Sequence, residues 1–178
     1  MSQKAKDNTP DSPPGRHDPA LAGQSARRRV LGDRLRAYYD AVASEPVVRG
    51  LYQVKFSEAA NAAFVTSAVG RPPVKEAKLV KINPETLKIE AEATPGAAPA
   101  RPDGSDGGLF AVYGVDVDEA NGNVWVTNTR QDTAAVYKQS DLSLVKQFEP
   151  GAVPHARDVV VDEANGRAYA SATGTPEI

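Results

Sequence analysis

The chain of 178 residues has no cysteine. Disulfides, thiolate metal sites and cysteine nucleophiles are therefore excluded. Histidine is nearly as scarce: there are two, His17 and His155. No His-x-Glu pair, Gly-x-Ser-x-Gly elbow or phosphate-binding glycine loop occurs. No catalytic residue, metal site or cofactor is expected on these grounds. Asp103 and Asp106 stand in a glycine-rich loop but lack the further acidic ligands and final glutamate of a calcium loop. No stretch nears the roughly 20 apolar residues of a membrane span. The N-terminus has no apolar run of roughly 7 to 15 residues, so it does not read as a signal peptide. Neither sign of charge dominates, with 21 basic and 23 acidic residues and a net charge of −2.

Repetition is what the sequence does have. Asp118 to Gly122 and Asp162 to Gly166 spell the same Asp-Glu-Ala-Asn-Gly, 44 positions apart. A fainter copy runs from Val54 to Ala68. Valines 115 and 117 alternate with Asp116 and Asp118, and Val124 and Val126 alternate with Trp125 and Thr127. Such a period of two predicts strands, and the intervening turn predicts a β-hairpin. Gly122 and Gly166 supply the positive φ that this turn needs, and Asn61 holds the position in the first copy. Phe64, Trp125 and Tyr169 align as one aromatic hairpin position.

A second strand pair follows each of the first two hairpins, around polar turns at Asn83–Thr86 and Gln139–Asp141, with Leu87 aligned on Leu142. Six extra residues near Val69–Ala77 read as an inserted loop. Four short strands per unit of about 40 to 45 residues describe the blade of a β-propeller. The expected blades are 47–93, 109–149 and a partial third at 153–178, within a propeller segment over 45–178. Residues 94–108, rich in Pro, Gly and Asp, read as a long loop, a lid or a mobile connection.

Trp125-Val-Thr-Asn128 differs by one aromatic from the tetrapeptide that names the YVTN propeller repeats. Together with Gly50–Phe56, Lys81–Leu87 and Val153–Val161, it makes the segment from about Val47 to Thr173 resemble the opening blades of YncE-like YVTN β-propellers. The resemblance implies an all-β propeller of poorly defined activity, in a family often exported. About two and a half blades are present, fewer than the roughly four to eight of a closed ring. The expectation is the N-terminal part of a longer protein, or a chain that self-associates.

Upstream, residues 1–24 are Pro-, Ser- and Asp-rich and predict a disordered tail. Residues 25–44 predict a short helix: Ser25 caps it, and Leu31, Leu35, Tyr38 and Val42 share a face. Arg27–Arg29, Arg34 and Arg36 give this region a basic face. Residues 1–40 carry eight basic and five acidic groups, net +3, which leaves 13 and 18, net −5, for the remainder. The repeat segment is thus mildly acidic, which speaks against a general nucleic-acid surface.

In a propeller the innermost strands line the axis. Tyr52, Tyr113 and Arg157 align at the start of these strands, with His155 and Asp158 beside the last. Two phenols and a guanidinium suit an anionic or planar group. The favoured expectation is a non-catalytic binding platform for a protein or small-molecule ligand at this rim. The alternatives are a propeller enzyme, a lactonase or quinoprotein-like dehydrogenase completed by further blades, and a single-stranded nucleic-acid binder that stacks bases on the tyrosines.

Overall fold

Alternation of valine with other residues marks β-strands at Val115–Asp118 and Asn123–Asn128, and strands recur through the rest of the repeat segment too. A computed structural model describes residues 44–176 and 178. The chain divides into Met1–Ser44 and Glu45–Ile178, and the second unit holds all the described strands. The tail expected over 1–24 lies outside the described residues. So does the helix expected over 25–44, apart from Ser44, which has no regular structure.

The first sheet contains β1 (Leu51–Ser57), β2 (Ala62–Val69), β3 (Glu76–Ile82) and β4 (Ile89–Ala93). The second contains β5 (Val115–Asp118), β6 (Asn123–Asn128), β7 (Thr133–Lys138) and β8 (Leu144–Gln147). A third, two-stranded sheet contains β9 (Ala156–Asp162) and β10 (Arg167–Ala172). Every pairing is antiparallel between chain neighbours, in the orders β1-β2-β3-β4, β5-β6-β7-β8 and β9-β10. The protein is therefore all-β. Among the described residues its helical content is two single 3-10 turns, Thr129–Gln131 and Glu163–Asn165. None of the described helices is long and apolar enough to cross a membrane.

The hairpin turns follow from local chemistry. Asp118 and Asp162 each turn a carboxylate oxygen back to accept the backbone N–H three residues on, from Asn121 at 3.1 Å and from Asn165 at 3.2 Å. The chain then leaves through a left-handed residue: Asn61, Gly122 and Gly166 have φ of 42°, 64° and 61°. The outer turns repeat too, with a feature that composition hides. Leu87 and Leu142 both adopt positive φ, 55° and 59°. Each donates its N–H to a carbonyl four residues earlier, Asn83 or Lys138. Leu142 tolerates this because its side chain is buried in the core.

The sheets stack face to face. Phe64 and Leu79 of the first sheet pack on Val115, Val117, Val124 and Val126 of the second. The back of the first sheet, with Val65, Val80 and Ile82, is covered in part by Val47 and Val48. The inserted loop and the long loop, far apart in sequence, lock together. Val74 bridges to Gly108, Ala97 bridges to Leu109, and Lys75 pairs with Asp106. Ala98 N–H to Gly108 O ties the long loop to itself and Leu109 N–H to Val74 O fastens its end to the inserted loop, both at 2.8 Å. The Lys75 ammonium and the Gly108 N–H hold the Asp106 carboxyl below the usual carboxylate range.

Candidate functional site

The first strand of each sheet begins in the same irregularity. Leu51 pairs with Ser67 and Val54 with Val65, so Tyr52 and Gln53 together oppose Thr66. Ala156 pairs with Ala172 and Val159 with Ala170, so Arg157 and Asp158 oppose Ser171. In the second sheet Tyr113 N–H donates to Thr127 O, and Thr127 N–H donates to Gly114 O, which sets Tyr113 and Gly114 against Thr127. These are β-bulges, two residues facing one, and bulges re-aim side chains.

A hydroxyl holds each bulge. Thr66, Thr127 and Ser171 accept from the N–H of Gln53, Gly114 and Asp158 at 3.3, 2.8 and 3.2 Å. The same hydroxyl then reaches the next sheet. Thr66 donates to the Tyr113 carbonyl, and Thr127 donates to the Arg157 carbonyl at 3.2 Å. One side chain therefore sets the bulge of its own sheet and the height of the neighbouring sheet's bulge.

The three bulges meet. Tyr52, Gln53, Tyr113, Gly114, Arg157 and Asp158 line one cavity of about 270 Å3. The rings of Tyr52 and Tyr113 contact edge to face, with centroids 4.5 Å apart and planes at 84°. Tyr52 is exposed and Tyr113 buried, so one phenol forms a wall and the other a floor. Gln53 Oε1 accepts the Val115 N–H at 3.0 Å, and Asp158 Oδ1 accepts the Val159 N–H at 2.9 Å. Arg157 is exposed and makes no ion pair among the described residues. Its guanidinium is left with donors for a ligand.

Of the five side chains singled out from sequence, four share this cavity and His155 does not line it. His155 sits in a left-handed turn at φ 50°. Its backbone N–H donates to Asp132 Oδ1 at 2.7 Å and its carbonyl accepts from Thr173. Adjacency in sequence is lost because His155 belongs to the turn that precedes the bulge.

Asp116, which no sequence motif marks as a site residue, ties the first strands of the three sheets together. Its buried carboxylate takes Lys55 Nζ at 2.7 Å on one side and the Val161 N–H at 2.7 Å on the other. The signal was in the alignment, since Lys55 and Asp116, of opposite charge, occupy the same place in adjacent repeats. Glu119 is likewise more than a turn residue. Its carboxylate accepts from Ser57 Oγ at 2.8 Å and from Gln139 Nε2 at 3.2 Å.

A larger cavity of about 510 Å3 lies between the second sheet and β10, beside Trp125, Phe148 and Tyr169. Trp125 stacks on Phe148, and its indole Nε1 is buried with no hydrogen-bond partner among the described residues. The lining is mostly apolar, and Trp125 and Tyr169 are the lining residues whose side chains carry polar atoms. Compared with protein-family models and with curated proteins, the chain matches none.

Proposed function

We propose that the three sheets are successive blades of a β-propeller of the YncE-like YVTN type, and that the bulge cavity binds an anionic ligand bearing a planar group, without catalysis. The observation that carries this reading is the threefold bulge, which gathers in one cavity two phenols and a guanidinium that forms no ion pair among the described residues. Contacts between the innermost strands, β1 with β5 and β5 with β9, support a common axis. Arg157 supplies two parallel donors to a carboxylate or phosphate. The exposed Tyr52 supplies a ring face to the planar part.

The probes are a nucleoside monophosphate and an aromatic carboxylate, titrated while the Tyr52 and Tyr113 ring protons are followed by NMR. Shifts confined to these rings are expected, with affinity falling about tenfold in Arg157→Ala, consistent with a charge-assisted pair of about 1.5 kcal/mol. Saturable binding that Arg157→Ala and Tyr52→Ala both leave unchanged would overturn the assignment. A single-stranded oligonucleotide bound more tightly than the mononucleotide, with a steep salt dependence, would move the reading to nucleic acid.

A further inference from the structure

The turn between β5 and β6 carries chemistry that the ligand cavity does not use. Among the described asparagines, Asn61, Asn83, Asn123 and Asn128 are followed by Ala, Pro, Val and Thr, whereas Asn121 and Asn165 each precede a glycine. Asn121 and Gly122 are both exposed, although their hairpin has a described neighbour on either side. From the first sheet, Ser57 Oγ donates to the Glu119 carboxylate at 2.8 Å, and the Glu119 N–H donates to the Glu163 carboxylate of the third sheet. Asn121 is thus exposed in the middle of the described sheets and not at their edge.

The amide of Asn121 fastens the turn. Its Nδ2 donates to both carboxylate oxygens of Asp118, at 2.9 Å each, and its backbone N–H donates to Oδ1 at 3.1 Å. Asp118 is buried, so these donors stand in for the water it has given up. Gly122 is in open space by contrast: a Cβ built on it would meet nothing within 4 Å. Among the described residues its N–H reaches only the Glu119 carbonyl, at a long 3.3 Å. Having no side chain, glycine does not crowd a ring closed through its own nitrogen.

We propose that Asn121 deamidates spontaneously through Gly122, and that the acid so formed unfastens the turn from Asp118. The Gly122 nitrogen gives its proton to hydroxide and attacks Asn121 Cγ. The Cγ–Nδ2 bond breaks, and Nδ2 leaves as ammonia. Water then opens the five-membered imide, at Cγ to give aspartate or at the backbone carbonyl to give isoaspartate. Nothing is oxidised or reduced in either step. Both products set a carboxylate against Asp118 where two donors stood, which leaves a buried acceptor unpaired and brings like charges together. Isoaspartate also lengthens the backbone of the turn by a methylene, against the Asp118–Asn123 pairing. Because Glu119 of the same turn joins the first and third sheets, the change loosens a joint of three sheets. The inference is independent of ligand binding in the bulge cavity.

The test ages the full chain at mildly alkaline pH, digests it in acid and follows each asparagine peptide by mass spectrometry, with aspartate and isoaspartate forms separated by chromatography. Both acids are expected to accumulate at position 121, faster as pH rises, while Asn61 keeps its amide. A synthetic peptide spanning the turn is the unfolded reference. If the peptide loses its amide while Asn121 in the chain does not, the fold shields the site and the proposal is overturned. Equal rates at Asn121 and Asn61 overturn the part given to Gly122. The consequence is read by urea unfolding. Aged wild type is expected to unfold at lower urea than fresh wild type, and Asn121→Asp to unfold near the aged protein. Asn121→Ser has no amide to lose at 121 but ages at Asn165 as wild type does, so it should lose less on ageing. An aged chain that carries the acid at 121 and loses no more than Asn121→Ser overturns the coupling to Asp118. Where Asn121→Asp does not fold, the aged wild type against aged Asn121→Ser decides alone.

Discussion

Gly114 is a point of close backbone approach between the second and third sheets. A Cβ there would stand 2.8 Å from Asp158 Cα and 2.9 Å from both Arg157 O and Thr127 Oγ1. Two of those three atoms are backbone and cannot swing aside. Its equivalents in the other bulges are Gln53 and Asp158, so glycine is a local requirement and not a property of the repeat. Gly114→Ala is expected to cost about 1 to 3 kcal/mol by overpacking, measured by urea unfolding, and to shift the Tyr113 ring resonances by disturbing the cavity. Tyr137 gives a second residue-scale test. Burial pushes its hydroxyl up to about 12, whereas in the unfolded chain it ionises near 10. The folded state therefore holds its proton more tightly. The stability linked to this group is complete below pH 10 and is lost as pH rises through 12, by about 3 kcal/mol at most. Unfolding midpoints at pH 8, 10 and 11 should fall more steeply in wild type than in Tyr137→Phe, and parallel slopes would refute the assignment.

Thr127 is where an element's position is set. It is buried and holds the Gly114 N–H and the Arg157 carbonyl at once. Thr127→Val keeps the shape and strands both partners. A loss of about 1 to 3 kcal/mol is expected, while Thr127→Ser, which keeps the hydroxyl, should lose less. Equal midpoints for the two variants in urea would remove the hydroxyl from the account. This element also shows how far sequence reasoning reaches. The hairpins were legible because period-two alternation and an Asp-x-x-Asn-Gly turn are local signals. That Tyr52, Tyr113 and Arg157 line one cavity was legible because they align across repeats, and Asp158 because it follows Arg157. The bulges were not, since two residues opposing one is a matter of pairing register that no single strand encodes. The bridging carboxylate of Asp116 and the docking of residues 94–108 on the inserted loop escaped for the same reason: both join segments distant in sequence. The left-handed leucines, Leu87 and Leu142, escaped because leucine carries no turn signature, and burial decides there instead.

At the scale of the whole molecule, stability should follow position in the stack. Sheets that contact only their neighbours behave as a nearly one-dimensional array, in which each unit depends on its own strands and on the adjoining interfaces. The middle sheet has both interfaces, and β5, most of β6 and nearly all of β7 are buried. The flanks are thinner: β4, β8 and β10 are mostly exposed or half-buried, and among the described residues β10 pairs only with β9. Amide exchange followed by mass spectrometry is therefore expected to be slowest in β5–β7, intermediate in β2 and β3, and fastest in β4, β8 and β10, because local opening is cheapest where few apolar contacts must break. Uniform protection would mean that the sheets unfold as one unit and that the array description fails.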